Sequence, residues 1–265
     1  MNVHELPVQR EIRKFDYETD EGIAERARIG MVVLASDHTI EHEFRLILEK
    51  VPGVALYQAR IENEPNITPE TLKAMEARIV PTTDLLLPGM PFDAIGFGCT
   101  SASMVIGRDR VCSLINEARS EAAPTNPVSA AFAAFHALGA KRIAVLTPYS
   151  DDVNEGIRSY FEGAGFEVPI MGSFKEPNDN VVARISPRSV ANATAELAKT
   201  PGVDAVFVSC TSVRLVRDVA QLEQLTGLPV TSSNHAIAWH TLRLAGINDR
   251  LPEFGKLFTL GLQDA

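Results

Sequence analysis

Positive charge is in short supply in this chain. Its 265 residues carry 25 Lys and Arg against 34 Asp and Glu, a formal net charge of −9. A nucleic-acid footprint or adhesion to an anionic membrane needs the opposite sign, so neither is an expected partner. Cysteine is scarce: Cys99, Cys112 and Cys210 are all there is. An odd, widely spaced trio builds no disulfide framework, and no CxxC or Cys/His pair has zinc spacing. No metal is therefore expected, and the thiols read as reduced in a cytoplasmic protein. Long apolar runs are missing too. No stretch nears the ~18 uninterrupted apolar residues of a membrane span. The first 27 residues, with Arg10, Glu11, Arg13, Lys14, Asp16, Glu18, Asp20 and Glu21, lack the apolar core of a secretory signal.

What is present suffices for a folded core. Hydrophobic residues make up 45% and charged residues 22%, ordinary for a globular chain. This length buries about 70–75% of the unfolded surface without a staple and suits one large domain or two of roughly 130 residues. Residues 28–34, 54–60 and 92–98 read as buried strands, and 39–50, 69–79 and 105–118 as helices, with Thr68 as N-cap ahead of Pro69. The pattern then restarts. Helices are expected at 127–138, 153–164, 189–199, 213–225 and 236–244, and strands at 141–146, 166–168, 203–209 and 228–231. Strands alternating with helices of this length imply βαβ units and parallel sheets.

Two segments resemble each other. Arg28-Ile-Gly-Met-Val-Val-Leu34 is followed by Phe92-Asp-Ala-Ile-Gly-Phe-Gly-Cys99-Thr-Ser101; Arg142-Ile-Ala-Val-Leu146 is followed by Val203-Asp-Ala-Val-Phe-Val-Ser-Cys210-Thr-Ser212. Arg28 and Cys99 are 71 positions apart, Arg142 and Cys210 68. Thr125-Asn126 and Ser233-Asn234 then enter matching helices. The expected fold is α/β, with two similar duplicated domains, each a parallel sheet flanked by helices, and an active site in the cleft between them. Residues 1–27 form an N-terminal arm, 28–122 with 234–265 the first domain, and 123–233 the second.

In each half a strand ends in Cys-Thr-Ser just before a helix. Ligands of open α/β sheets bind beyond the carboxyl ends of the strands. Free backbone N–H groups and a helix start there lower a thiol pKa. With the hydroxyls of Thr100, Ser101, Thr211 and Ser212 they can also hold a carboxylate or enolate oxygen. Cys99 and Cys210 are thus the candidate catalytic pair, while Cys112, inside a helix, reads as a small buried hydrophobe. A duplicated α/β protein that binds a metabolite without converting it is the rival reading. A Cys/His hydrolase lacks any motif tying a histidine to a thiol.

These motifs resemble the aspartate/glutamate racemase superfamily. The opening around Ala35-Ser-Asp-His-Thr-Ile-Glu-His-Glu-Phe44 and the closing Thr231-Ser-Ser-Asn-His-Ala-Ile-Ala-Trp-His-Thr-Leu-Arg-Leu-Ala-Gly246 are similar to its maleate isomerase and arylmalonate decarboxylase branch. The resemblance covers residues 28 to about 247. It implies cofactor-independent chemistry on a small carboxylic acid between two cysteines, one acting as base or nucleophile and the other as acid. The decarboxylases keep only the second cysteine, so the presence of both disfavours decarboxylation. By resemblance Tyr149 and Asn180 would contact substrate. Local readings compete: a packed loop tyrosine for Tyr149, a turn for Asn180, a helix N-cap for Asn234, and surface positions for His235 and His240. The branch carries Asn where this chain has Asp37. Asp37 would suit a cationic substrate group, would hold a proton relay with His38, or would N-cap the next helix. The Asp37 segment also resembles a sub-branch associated with ectoine utilisation. The expected function is a cofactor-independent isomerase or racemase, resembling maleate isomerase; an amino-acid or ectoine-derivative racemase is the alternative. A homo-oligomer is expected.

Overall fold

The structure, a computed structural model, describes residues 12–64 and 68–262. Arg10 and Glu11 of the charged arm lie outside the described residues. The first half runs β1 (Ala27–Leu34), α1 (Ile40–Leu48), β2 (Val54–Ile61), α2 (Pro69–Ala74), α3 (Glu76–Asp84), β3 (Ala94–Gly98), α4 (Thr100–Ile106), α5 (Arg108–Ala118) and β4 (Ala123–Thr125). The second runs α6 (Pro127–Leu138), β5 (Ile143–Thr147), α7 (Asp151–Gly163), β6 (Met171–Ser173), α8 (Asp179–Val182), α9 (Pro187–Leu197), β7 (Ala205–Val208), α10 (Val219–Thr226), β8 (Val230–Ser232) and α11 (Ser233–Leu244).

Each half is a four-stranded sheet, every described pairing parallel, ordered β2-β1-β3-β4 and β6-β5-β7-β8. The common order is what a duplicated unit produces. Both faces of each sheet are covered, which is why the central strands read as apolar runs. Alternation along β1 sorts the side chains. Ile29, Met31 and Val33 join a core with Phe44 of α1 and Trp239 of α11, while Val32 and Leu34 join Ile95, Phe97 and Leu86 on the opposite face. In the second half Phe132, Phe135, Phe161, Phe166 and Phe207 form an aromatic cluster, with Phe135 and Phe207 centroids 5.4 Å apart edge to face. Helix α6 lies at the seam: Val128, Phe132 and Phe135 face the second core, and Ala130, Ala134 and Ala137 face the first, against α11.

Several expectations are corrected. The single helix over 69–79 is two, α2 and α3, meeting at Met75; Thr68 caps as expected, its hydroxyl accepting from Thr71 N at 3.3 Å. The helix over 105–118 is likewise two, because Gly107 at φ 99° interrupts it, and α4 begins directly after Cys99. The strand over 166–168 reduces to one bridge between Arg142 and Glu167, and the edge strand forms later, at Met171–Ser173. Pro169, lacking an N–H, suits the break. No α-helix follows Cys210 until Val219. The N–H groups of Leu215 and Val216 donate to the Glu43 carboxylate at 2.7 and 2.8 Å.

Among the described residues, no helix is long and apolar enough to cross a membrane.

Candidate active site

Cys99 directly follows β3 and Cys210 lies two residues beyond β7, at the carboxyl ends of central strands in the two sheets. Gly98, the last residue of β3, leaves no room for a side chain: a Cβ there would meet Ile40 Cδ1 at 2.9 Å and Val32 O at 3.3 Å. Both thiols are buried and line one cavity of about 20 Å³, room for about one water. Tyr149, Asp179, Thr100, Ser101 and Thr211 complete its polar wall; Leu34, Leu72 and Met75 form an apolar one, and Asn63 and Glu64 stand at its edge.

The loops carrying the cysteines interlock. Ser233 Oγ accepts from Thr100 Oγ1 at 2.8 Å and from Cys210 N at 3.0 Å, so one hydroxyl joins both motifs. Thr211 Oγ1 donates to Gly98 O at 3.3 Å. Cys99 has extended backbone (φ −146°), but Cys210 sits at φ 128°, a region that favours glycine. Such a conformation costs on the order of 1–3 kcal/mol and persists only where its surroundings enforce it. Here they do. Asn234 Nδ2 donates to Thr211 O (2.7 Å), Thr39 Oγ1 to Ser212 O (3.0 Å), and Glu43 holds the Leu215 and Val216 amides and Asn234 Nδ2 (2.9 Å).

The thiols do not have the lowered pKa that a helix start predicts. Burial pushes Cys99 up to about 11, against donors from the Ala102 amide and the Ser101 hydroxyl, whose oxygen is 3.7 Å from Sγ. Burial pushes Cys210 higher still, followed by the Asp179 charge, against donors from Tyr149 and the Ser212 amide. Removal from water outweighs local donors, so both thiols are protonated in this arrangement. Burial also raises the Tyr149 hydroxyl, which remains protonated and donates toward Cys210.

Of the sequence candidates, Cys99, Cys210, Thr100, Ser101, Thr211 and Tyr149 meet at the cavity. Ser212 stands behind it, its hydroxyl donating to Asp179 Oδ1 at 2.7 Å. Asp37 is buried outside the lining; the N-cap of α1 is Thr39 rather than Asp37, whose Oδ1 accepts from the Thr39 and Ile40 amides at 2.6 and 2.8 Å. Burial pushes its carboxyl up to about 6. Asn180 is exposed and pairs with His38 Nε2 at 2.7 Å; its neighbour Asp179 turns inward instead. Asn234 is not the cap of α11; Ser232 is, accepting from His235 N. His235 is buried rather than on the surface, bonded to Thr231 and Phe254 O, and burial lowers it to about 4. Neither it nor His240 lines the cavity. Asp179, Glu43, Ser233 and Ser36 were not read from the sequence. The Asn-Asp-Asn run carried the signal for Asp179, one position from the residue chosen.

Among the described residues, no group of three or more His, Cys, Asp or Glu is arranged to hold a metal ion.

Comparison with known proteins identifies this arrangement. The family profile described as arylmalonate decarboxylase matches residues 63–258. The chain belongs to that family. A maleate isomerase of Nocardia farcinica is 29% identical over 87% of this chain and 94% of its own length. A maleate isomerase of Pseudomonas putida is 26% identical over 88% of this chain and 97% of its own. A solved structure of the Nocardia farcinica maleate cis-trans isomerase, a cysteine-to-serine mutant with a covalently bound succinylcysteine intermediate, superimposes with a TM-score of 0.82 at 26% identity, covering 88% of this chain and 98% of that one. Like these family members, the chain is an enzyme of the isomerase class.

Proposed function

We propose that this family member is a cofactor-independent isomerase acting on a small carboxylic acid held between Cys99 and Cys210. One sulfur, as thiolate, removes a proton from the acid or adds to its double bond. In the first case the other sulfur delivers a proton to the opposite face; in the second it protonates the adjacent carbon, the former double bond rotates, and loss of that same proton with cleavage of the C–S bond restores the double bond and the thiolate, so that atoms and charge balance over a turnover. Tyr149, Ser101 and the backbone N–H groups beside the thiols are the donors available to the developing negative charge. The enclosed apolar wall keeps water from competing for the carbanion.

The observation that carries this reading is that two thiols, from equivalent strand ends of duplicated sheets, line one cavity, each with a backbone N–H directed at its sulfur. A metabolite-binding protein needs neither thiol. The test is a panel of small chiral and unsaturated acids followed by proton NMR in heavy water. Cys99→Ser and Cys210→Ser should each abolish turnover, while Cys112→Ser should change little. Deuterium entering the substrate at the reacting carbon marks proton transfer; isomerisation without it marks thiol addition. Full activity in Cys210→Ser would refute the paired-thiol assignment.

A further inference from the structure

We propose that a groove between α1 and the chain leading into α10 is a second ligand site, one that binds a small polyanion, a phosphate or polycarboxylate, and steadies the loop that carries Cys210. The proposal stands apart from the isomerase reading above, because the groove shares no wall residue with the cavity of the thiols.

The groove has a volume of about 290 Å³, the lower end of the range for small-molecule sites. His42 and Glu43 of α1 stand on one side, and Arg214 and Arg217 on the other. Among the described residues neither arginine forms an ion pair. Arg214 Nη2 donates to Ile185 O at 3.0 Å, which anchors the side chain, while its Nε is buried with no hydrogen-bond partner. A guanidinium N–H removed from water and left without an acceptor is unfavourable. A phosphate or carboxylate taken bidentately supplies the acceptor, and the planar fork of arginine is built for that geometry. Arg217 is exposed. Arg45, three residues after His42 on the same face of α1, is exposed and outside every ion pair too.

Acids are not in short supply in this chain, whose formal net charge is −9. Bases gathered at one groove without acidic partners are therefore a local arrangement, and their donors are left for a ligand. Two carboxyls do share the walls. Glu43 spends its charge on the N–H groups of Leu215, Val216 and Asn234, and Asp218 pairs with neither arginine.

The position of the arginines links the groove to Cys210. Arg214 and Arg217 flank Leu215 and Val216, whose amides donate to Glu43 Oε1 at 2.7 and 2.8 Å. The other Glu43 oxygen accepts from Asn234 Nδ2, which also donates to the carbonyl of Thr211, next to Cys210. An anion held by both arginines fastens the two ends of that turn, and with it the frame that keeps Cys210 at φ 128°.

The test needs no knowledge of the substrate. Full-length protein is titrated by calorimetry with inorganic phosphate and, separately, with citrate, chloride being adjusted to hold ionic strength constant. We expect saturable binding of at least one of them, unchanged in Cys99→Ser and weakened at least about tenfold in Arg217→Gln, as the loss of one charge-assisted contact requires. Binding of phosphate assigns a phosphoryl ligand, and binding of citrate alone a polycarboxylate. At saturation, amide hydrogen exchange across residues 211–218 should slow at least about threefold, with exchange in β5 unchanged. No saturable binding of either anion, binding that Arg217→Gln leaves intact, or binding lost in Cys99→Ser overturns the proposal. Binding without slower exchange at 211–218 overturns the link to the Cys210 loop. The thiol chemistry is decided separately, by the heavy-water assay.

Discussion

Glu43 offers the sharpest test of how the Cys210 loop is held. Its side chain comes from α1, is 2% exposed, and takes three N–H donors from the opposite half of the chain. Burial nevertheless pushes its carboxyl from an ordinary 4.5 up to about 7. In the unfolded chain the proton leaves near 4.5; in the native protein it stays until about 7. Between those values the native state binds more protons, so stability falls as pH rises. The contribution is complete below 4.5 and lost on passing 7. At about 1.4 kcal/mol per pH unit the swing is on the order of 3 kcal/mol. Glu43→Gln removes the titration. It also sets an amide NH2 against Asn234 Nδ2, a loss of about 1–3 kcal/mol for a buried donor without a partner. Urea unfolding can be followed through Trp239, the only tryptophan, which packs in the core that contains Phe44. Measured at intervals from pH 4 to 8, the stability of wild type minus variant should be positive at the acid end and shrink by roughly 3 kcal/mol across the window. A difference that stays flat, or grows as pH rises, would refute the argument that burial outweighs the three donors.

The remaining expectations use the same loop. Ser233→Ala leaves the buried Cys210 amide without its 3.0 Å acceptor; we expect a loss of about 1–3 kcal/mol in urea unfolding and a fall in kcat larger than any rise in KM. Cys210→Gly relieves the φ of 128°, so it should be more stable than Cys210→Ala by about 1 kcal/mol while both are inactive; equal stability would show the turn to be unstrained. For Cys99, pushed up to about 11 by burial, alkylation by iodoacetamide in a Cys112→Ser background should accelerate about tenfold per pH unit from neutrality into the alkaline range, and a plateau below pH 9 would overturn the burial argument.

The sequence made the repeated strands legible because buried parallel strands must be apolar on both faces. Arg28–Leu34 and Arg142–Leu146 advertise themselves for that reason. The end of β3 at Gly98 and of β7 near Ser209 then located both cysteines, and beside them Thr100, Ser101 and Thr211 line the cavity while Ser212 does not. What failed were inferences that depend on solvent and on partners distant in sequence. A helix start after each cysteine implied acidic thiols; the burial that opposes it is a tertiary quantity, invisible in Cys-Thr-Ser. A helix from Val213 was a sound local reading, but the α-helix starts only at Val219, and the Leu215 amide ahead of it is held by a carboxylate 172 positions away. Asn180 and Asp179 differ by one position in a four-residue helix, too short for periodicity to say which faces inward.

The duplication explains the placement of the two sulfurs but not their difference. Cys99 sits on relaxed extended backbone and flows into α4, so its loop is satisfied largely within its own half. Cys210 is held in an unfavourable conformation by Ser233, Asn234, Thr39 and Glu43, two of which come from the first half of the chain. A strained residue needs a rigid frame, and a frame reaching across the seam couples the second thiol to the packing of α1 and α11. The Asp179 charge raises both thiols, and at Cys210 it follows directly after burial. Two positions that began as copies are therefore inequivalent acids. Burial raises the Cys99 thiol less than that of Cys210 in this arrangement.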